Sequence, residues 1–178
     1  GTPPFLGGSH IRRTLGDQYT DLLFQTFDGR VPASSDLVCY WLERSRVHIS
    51  EGRARRAGLI ATQSIRSVGN RAVLDHIKQM GDIFMAWSDK EWVLDGASVR
   101  VSLIGFDDGS ETSRHLDGHL VAKINANLTS ELDVTKARQL EENSKICFQG
   151  PSPKAPFDLD LATAKRLLSA PSNINARP

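Results

Sequence analysis

Cysteine is scarce in this chain. Cys39 and Cys147 stand far apart and neither has a CxxC partner, which argues against a disulfide frame or a zinc site and points to a reducing cytoplasm. Cys39 lies in an apolar helical pattern and reads as a buried thiol. No apolar run approaches the length of a membrane span, and no signal peptide is recognisable. The first residue is not Met, so the opening Gly1-Thr2-Pro3-Pro4-Phe5 reads as the middle of a longer protein. GxGxxG, P-loop, HExxH and GxSxG motifs are all missing. The histidines His10, His48, His76, His115 and His119 are scattered. His115 and His119 are four apart, but nothing nearby completes a metal set, and surface histidines are expected. There is neither an internal repeat nor a low-complexity tract.

What is present suits an ordinary globular chain. An apolar fraction of 39% and a charged fraction of 24% are typical, and 178 residues make one domain or a domain core with an appendage. A net charge of +1 neither demands nor excludes a nucleic-acid partner. Its distribution says more. Basic residues gather at Arg12 and Arg13, between positions 44 and 56, and at Arg66 and Arg71, while 107–117 is mostly acidic. Each cluster taken alone is equally well a solvated face.

The first strong helix signal is Tyr19, Leu22, Leu23 and Phe27, between Gly16-Asp17 and Asp28-Gly29. A second helix follows Pro32, with Ser34 or Ser35 as cap, Asp36 in the first turn, and Leu37, Val38, Trp41 and Leu42 as its apolar face. Residues 57–62 are nearly continuously apolar, as in a strand buried on both sides of a parallel sheet. After a loop over 63–69, Asn70 should cap a helix running to Met80, with Gly81 closing it. Residues 82–87 and 98–106 read as strands that pair as a wide antiparallel hairpin at a sheet edge, the second ending in the turn Asp107-Asp108-Gly109. Beyond 109 the pattern loosens. It offers a turn at Leu116-Asp117-Gly118, a short strand over 121–124, a short helix over 133–140 and a loop over 149–156. A last helix is capped by Asp158 or Asp160, with Leu161, Ala164, Leu167 and Leu168 inward. The class predicted is α/β, with an irregular C-terminal appendage.

The residues with most chemical content are Thr2-Pro3-Pro4-Phe5-Leu6-Gly7-Gly8. Two consecutive prolines fix two φ angles and remove two donors, leaving a stiff turn with outward carbonyls. Pro-Pro is also common in plain loops. The motif is joined, in order, by Gly16-Asp17-Gln18-Tyr19, by Asp28-Gly29-Arg30-Val31-Pro32, by Ala57-Gly58-Leu59-Ile60-Ala61-Thr62-Gln63-Ser64-Ile65-Arg66, by Ala86-Trp87-Ser88-Asp89, and by Trp92-Val93-Leu94-Asp95-Gly96-Ala97-Ser98-Val99-Arg100-Val101-Ser102. This ordered series resembles the large single-chain bacterial adenine-N6 DNA methyltransferases, including type II restriction-modification enzymes. It covers essentially the whole chain.

The resemblance implies the C-terminal half of a Rossmann-like, class I methyltransferase core with an edge hairpin over 1–109, and a linker or start of a target-recognition region over 110–178. It implies methyl transfer from S-adenosylmethionine to adenine N6 in double-stranded DNA, in a bacterial cytoplasm. Thr2, Pro3, Pro4 and Phe5 occupy the catalytic positions. In the family, a side-chain carbonyl and the first proline's carbonyl accept the amine's two hydrogens, and the aromatic stacks on a base flipped from the duplex. Thr2 departs from the family's Asn or Asp. Its hydroxyl accepts a hydrogen bond but lacks the amide carbonyl, which implies impaired chemistry. Ser64, Arg66 and Arg71 after the 57–62 strand, and Arg12 and Arg13 after the loop, become candidates for DNA contact. The donor-binding motifs are expected upstream of Gly1, so the chain alone should neither bind donor well nor turn over. Trp87 and Trp92 read as packing residues. The alternative reading is a non-catalytic DNA-binding or assembly piece of a restriction or phage-defence system.

Overall fold

The computed structural model describes residues 1–94, 97–131 and 160–170. Two compact units divide it at Ala137 and Arg138. In the first, α1 (Gly8–Leu15) and α2 (Asp17–Thr26) lead to α3 (Leu37–Ser50), and β1 (Arg56–Thr62) is followed by a 3-10 turn, Gln63–Arg66. Then come α4 (Val68–Met80), the long strands β2 (Asp82–Leu94) and β3 (Ala97–Asp107), and the short β4 (Arg114–Leu116) and β5 (His119–Val121). The second unit contributes α5 (Leu161–Leu168). The predicted 133–140 helix, the 149–156 loop, the Asp95-Gly96 turn and Cys147 lie outside the described residues.

The sheet is mixed, in the order β1-β3-β2-β4-β5. This corrects the expected edge hairpin. β2 and β3 do pair antiparallel, but β3 is inserted between β2 and β1, Leu59 lying opposite Ile104 and Ala86 opposite the same residue on the other side. The pairing also runs further than expected, because 88–94 continue β2 through irregularities at Ile83/Met85 and Trp87/Lys90 as far as the Leu94–Ala97 pair. Trp87 and Trp92 are consequently half-buried strand residues, with the Lys90 ammonium 5.2 Å from the Trp87 ring centroid.

The strand buried on both faces is β3. Val101, Ser102, Ile104, Gly105, Phe106 and Asp107 are all buried, whereas β1 alternates towards solvent. The apolar run over 57–62 thus belongs to an outer strand rather than the expected doubly buried one. Gly1 lies along its far side, the Gly1 amine donating to the Gly58 carbonyl and the Ile60 amide to the Gly1 carbonyl, the pattern of a parallel bridge.

Helices α3 and α4 pack on each other, α3 against β1 and α4 against β2. Their apolar faces (Leu37, Val38, Cys39 and Leu42; Val73, Leu74 and Ile77) form one core with Leu59, Ala61, Ile104 and Phe106. Complete burial of side chains this size contributes about 1.5–3 kcal/mol each before the entropy cost of ordering them. α4 ends at Gly81 as read from sequence, for a steric reason. A Cβ there would stand 1.9 Å from the Asp107 carbonyl oxygen.

The sheet continues past residue 109 through a tight turn at Asp117 and Gly118, both with positive φ, the backbone a two-residue hairpin needs. The short strand expected over 121–124 ends at Val121 instead, and Ile124, Asn125, Ala126, Asn127 and Leu128 tuck into the core as a turn. Asn125 holds that turn, donating from Nδ2 to Thr129 Oγ1 and to the Glu131 carbonyl. In α5, Asp160 caps the helix by accepting the Thr163 amide at 2.9 Å, but Leu161, Leu167 and Leu168 are exposed rather than inward.

Candidate functional site at the end of strand β1

The Pro-Pro loop and the end of β1 meet. Phe5, Leu6, Gly7, Ser9 and His10 from the first segment, Asp36 and Val38 from the start of α3, and Thr62 and Ser64 from β1 and its 3-10 turn line one pocket of about 350 Å³. That is near the lower end of ligand-pocket sizes, roughly 300–1,000 Å³. The ring of Phe5 is half-buried at this mouth.

Local chemistry shapes the loop. Pro3 is buried while Thr2 and Pro4 are exposed. The Leu6 amide folds back onto the Pro4 carbonyl at 3.1 Å. Among the described residues no backbone hydrogen bond is made to the Pro3 carbonyl. The loop is then clasped to the start of α3: the Leu37 amide donates to the Leu6 carbonyl at 2.9 Å and the Gly8 amide to Asp36 Oδ1 at 2.9 Å. Gly8 permits this approach, since a Cβ would lie 2.1 Å from the Ser34 carbonyl oxygen.

Beside the pocket lies a polar cluster of Asp36, expected in the first turn of its helix, Asn70, expected as a cap, and Ser64. Asp36 stands at the N-cap of α3 without capping it. Its Oδ2 accepts from Ser64 Oγ and, at 2.9 Å, from Asn70 Nδ2. Asn70 does not cap α4, which starts two residues earlier; it is buried, and its Oδ1 accepts the Asp36 amide at 2.8 Å. Ser35 donates to the Gly69 carbonyl rather than capping α3. Thr62 Oγ1 and Ser64 Oγ are 2.6 Å apart. Cys39 is buried as expected, its thiol near Asn70; desolvation and the Asp36 charge push its pKa up to about 12, outweighing nearby hydrogen bonds. Cys39 is therefore an inert packing residue, not a nucleophile.

The predicted site residues separate into three groups. Phe5 and Ser64 line the pocket together; Thr2, Pro3 and Pro4 sit on the same loop but outside its lining. Arg66 closes the 3-10 turn and is half-buried, its Nε donating to the Asn127 carbonyl at 2.9 Å. Arg71 lies in the first turns of α4 with its side chain 16% exposed; its Nε is buried without a hydrogen-bond partner, 3.9 Å from Asp75. Arg12 and Arg13 are exposed on α1, where Arg12 bridges to Asp17 and Asp21 on α2 and Arg13 approaches His10 Nδ1 at 3.0 Å. No group of His, Cys, Asp and Glu among the described residues is arranged to hold a metal ion. The residues the sequence reading missed are Asp36 and Asn70 as partners; their spacing of 34 positions leaves no local pattern to find.

A second cavity, about 110 Å³, lies between α2 and α3 and is largely apolar, lined by Tyr19, Leu23, Phe27, Leu37, Tyr40, Trp41 and Arg44. No helix among the described residues is long and apolar enough to cross a membrane.

No family model matches the chain, and no curated protein does. Among solved structures it is similar to the Type IIL restriction-modification enzyme MmeI, determined in complex with DNA, at a TM-score of 0.60 and 22% identity. The match covers 75% of this chain and 20% of that one, so the chain spans about a fifth of that enzyme. At this identity the likeness is one of fold: an α/β chain built on a mixed five-stranded sheet, shared with part of a restriction-modification enzyme.

Proposed function

We propose that this chain is the target-base half of an adenine-N6 DNA methyltransferase of the restriction-modification type. The observation that carries the reading is the shared pocket: Phe5 of the Pro-Pro loop and Ser64 beyond β1 face the same 350 Å³ space. The fold it shares with part of a DNA-bound restriction-modification enzyme supports the same reading, with double-stranded DNA as partner.

In this reading an adenine extruded from the duplex stacks on Phe5, which supplies about 1–3 kcal/mol of binding. The amine is a poor nucleophile because its lone pair is delocalised into the ring. In the proposed complex the Pro3 carbonyl, to which no backbone hydrogen bond is made among the described residues, accepts one of the amine hydrogens and Thr2 the other, biasing the nitrogen towards tetrahedral geometry. The catalytic contribution of this half is positioning. The methyl donor of such enzymes is S-adenosylmethionine. The carboxylate at this pocket, Asp36, is already engaged by Gly8, Ser64 and Asn70, so it does not suit a donor's ribose. The residues that would hold the donor therefore lie outside this cluster. The stretch after residue 109 is proposed as the lead into a target-recognition region.

A duplex carrying 2-aminopurine opposite an abasic site makes extrusion cheap and reports it by fluorescence. The chain should raise the signal on binding, and Phe5→Ala should weaken binding by roughly tenfold or more. Equal binding by Phe5→Ala would sink the assignment. In a methylating parent protein, Thr2→Asn should raise turnover; unchanged turnover would show that position 2 is not limiting.

A second reading, a non-catalytic DNA-binding piece, is favoured by Thr2, whose short hydroxyl replaces the carbonyl acceptor. Salt-dependent DNA binding without any plasmid methylation by the parent protein, with Asn restored at position 2 or not, would select it.

A further inference from the structure

Three segments far apart in sequence converge on one carboxylate. Gly8, 28 positions before Asp36, donates its amide to Oδ1; Ser64 and Asn70, 28 and 34 positions after it, donate to Oδ2. The Asp36 amide answers by donating to Asn70 Oδ1, so the two residues exchange hydrogen bonds in both directions. Asn70 Nδ2 also reaches the Ser64 carbonyl at 3.1 Å, tying the 3-10 turn into the same cluster. Side-chain chemistry dictates which residue stands where. Position 36 faces only donors, which a carboxylate satisfies with its two oxygens; position 70 faces both a donor and acceptors, which requires an amide.

We infer that Asp36 is a positioning residue. It holds the Pro3-Pro4-Phe5 loop against the rim at Ser64 through its reciprocal pairing with Asn70, keeping the Phe5 ring at the pocket mouth. Both carboxylate oxygens of Asp36 are taken up by Gly8, Ser64 and Asn70, so it acts on the loop through those partners. The role of the clasp in base capture rests on the function proposed above. Two further features bring the same segments together: the Leu37 amide on the Leu6 carbonyl, and the absence of a Cβ at Gly8 where the chain meets Ser34. Loss of an N-cap does not account for the role, because the Asp36 side chain makes no capping bond to α3.

The test is a swap in the 178-residue chain. Asp36→Asn sets an amide donor against the Asn70 amide, and Asn70→Asp sets carboxylate against carboxylate. The double variant Asp36→Asn/Asn70→Asp restores the donor–acceptor pairing between the two side chains and keeps an acceptor for the amide of residue 36, while the Ser64 carbonyl loses its donor. Hydrogen exchange of the Gly8 amide should accelerate about tenfold or more in each single variant and slow again by about threefold or more in the swap, short of wild type because the Ser64 carbonyl has lost its donor. Rescue by exchanging the two groups identifies their pairing, rather than the bulk or charge of either side chain alone, as what holds the loop. Gly8 exchange in Asp36→Asn as slow as in wild type would overturn the proposal, as would a swap no better than the worse single variant. Should the single variants not fold, a folded swap is itself the rescue, and a swap equally unfolded overturns the proposal. Exchange judges the clasp, while the wild-type 2-aminopurine signal and its Phe5 dependence judge the base-binding reading, so the two fail separately.

Discussion

Arg66 donates from Nε to the main-chain carbonyl of Asn127, 61 positions later in the chain, at 2.9 Å. That bond fixes the guanidinium stem beside the turn at 124–128, and Arg66 is accordingly a structural clamp as well as a candidate phosphate contact. Arg66→Ala should lower stability by about 1 kcal/mol, the net worth of a typical hydrogen bond, and weaken DNA binding too. Chemical denaturation and binding titrations at several salt concentrations check both. Full stability in Arg66→Ala would deny the clamp.

Arg12 differs in kind. Its pKa is raised by hydrogen bonds to Asp17 and then Asp21, and those two carboxylates offset its charge on an exposed helix face. Neutralising both, Asp17→Asn/Asp21→Asn, should tighten DNA binding and steepen its salt dependence, each added phosphate contact changing the log–log slope by about 0.9. A slope that does not change, in that variant or in Arg12→Ala, would remove Arg12 from the DNA-contact set.

Gly81 offers a steric prediction. Since its missing Cβ leaves room for the Asp107 carbonyl, Gly81→Ala must move either α4 or the end of β3. The expected cost is about 1–3 kcal/mol, as for overpacking elsewhere. Thermal melting checks it, and a variant as stable as wild type would mean that the strand end yields freely.

Glu43 is wholly buried on α3, gripped by Arg46 through two hydrogen bonds of 2.7 and 2.8 Å and approached by Arg30 at 3.5 Å. Removing the acid alone, in Glu43→Ala, should cost about 3–5 kcal/mol because Arg46 is left partly buried and unpaired. The apolar pair Glu43→Leu/Arg46→Met should recover most of that loss. Denaturation of the three proteins decides it; a double variant as weak as Glu43→Ala would show that the pair does more than neutralise itself.

Acid sensitivity should centre on Asp82. Desolvation raises its pKa, but hydrogen bonds from Lys78 and Arg114 and the Lys78 charge outweigh that, leaving it below the ordinary aspartate range. A carboxylate depressed in the folded state contributes stability that is present above its unfolded pKa and is lost as pH falls through the folded one. The loss therefore begins near pH 4 and deepens below it. Asp82→Asn should be less stable than wild type at neutral pH and converge with it in acid. Parallel acid titrations of the two proteins would show convergence; a constant gap would reject the linkage.

The local patterns of the sequence were sufficient for the helices that carry a strong apolar stripe. Leu37, Val38 and Leu42, and Val73, Leu74 and Ile77, recur at helical spacing and are among the buried residues of α3 and α4, whereas Trp41, expected on the same apolar face, is half-exposed. The positive-φ corner at Asp117-Gly118 is legible for the same reason: it is set by residues adjacent in the chain. Which strands would be neighbours was not. A run such as Ala57-Gly58-Leu59-Ile60-Ala61 reports that apolar surface is covered, but not that α3 packs on the strand or that β3, some 40 positions later, pairs along its edge. The polar residues of the site were hidden likewise. Asp36 reads as a first-turn acid and Asn70 as a helix cap, and only packing α3 against α4 turns them into one hydrogen-bonded pair. Covalent neighbours fix backbone dihedrals and face periodicity; the partner of a buried polar group is fixed by which surfaces the whole chain can close against each other.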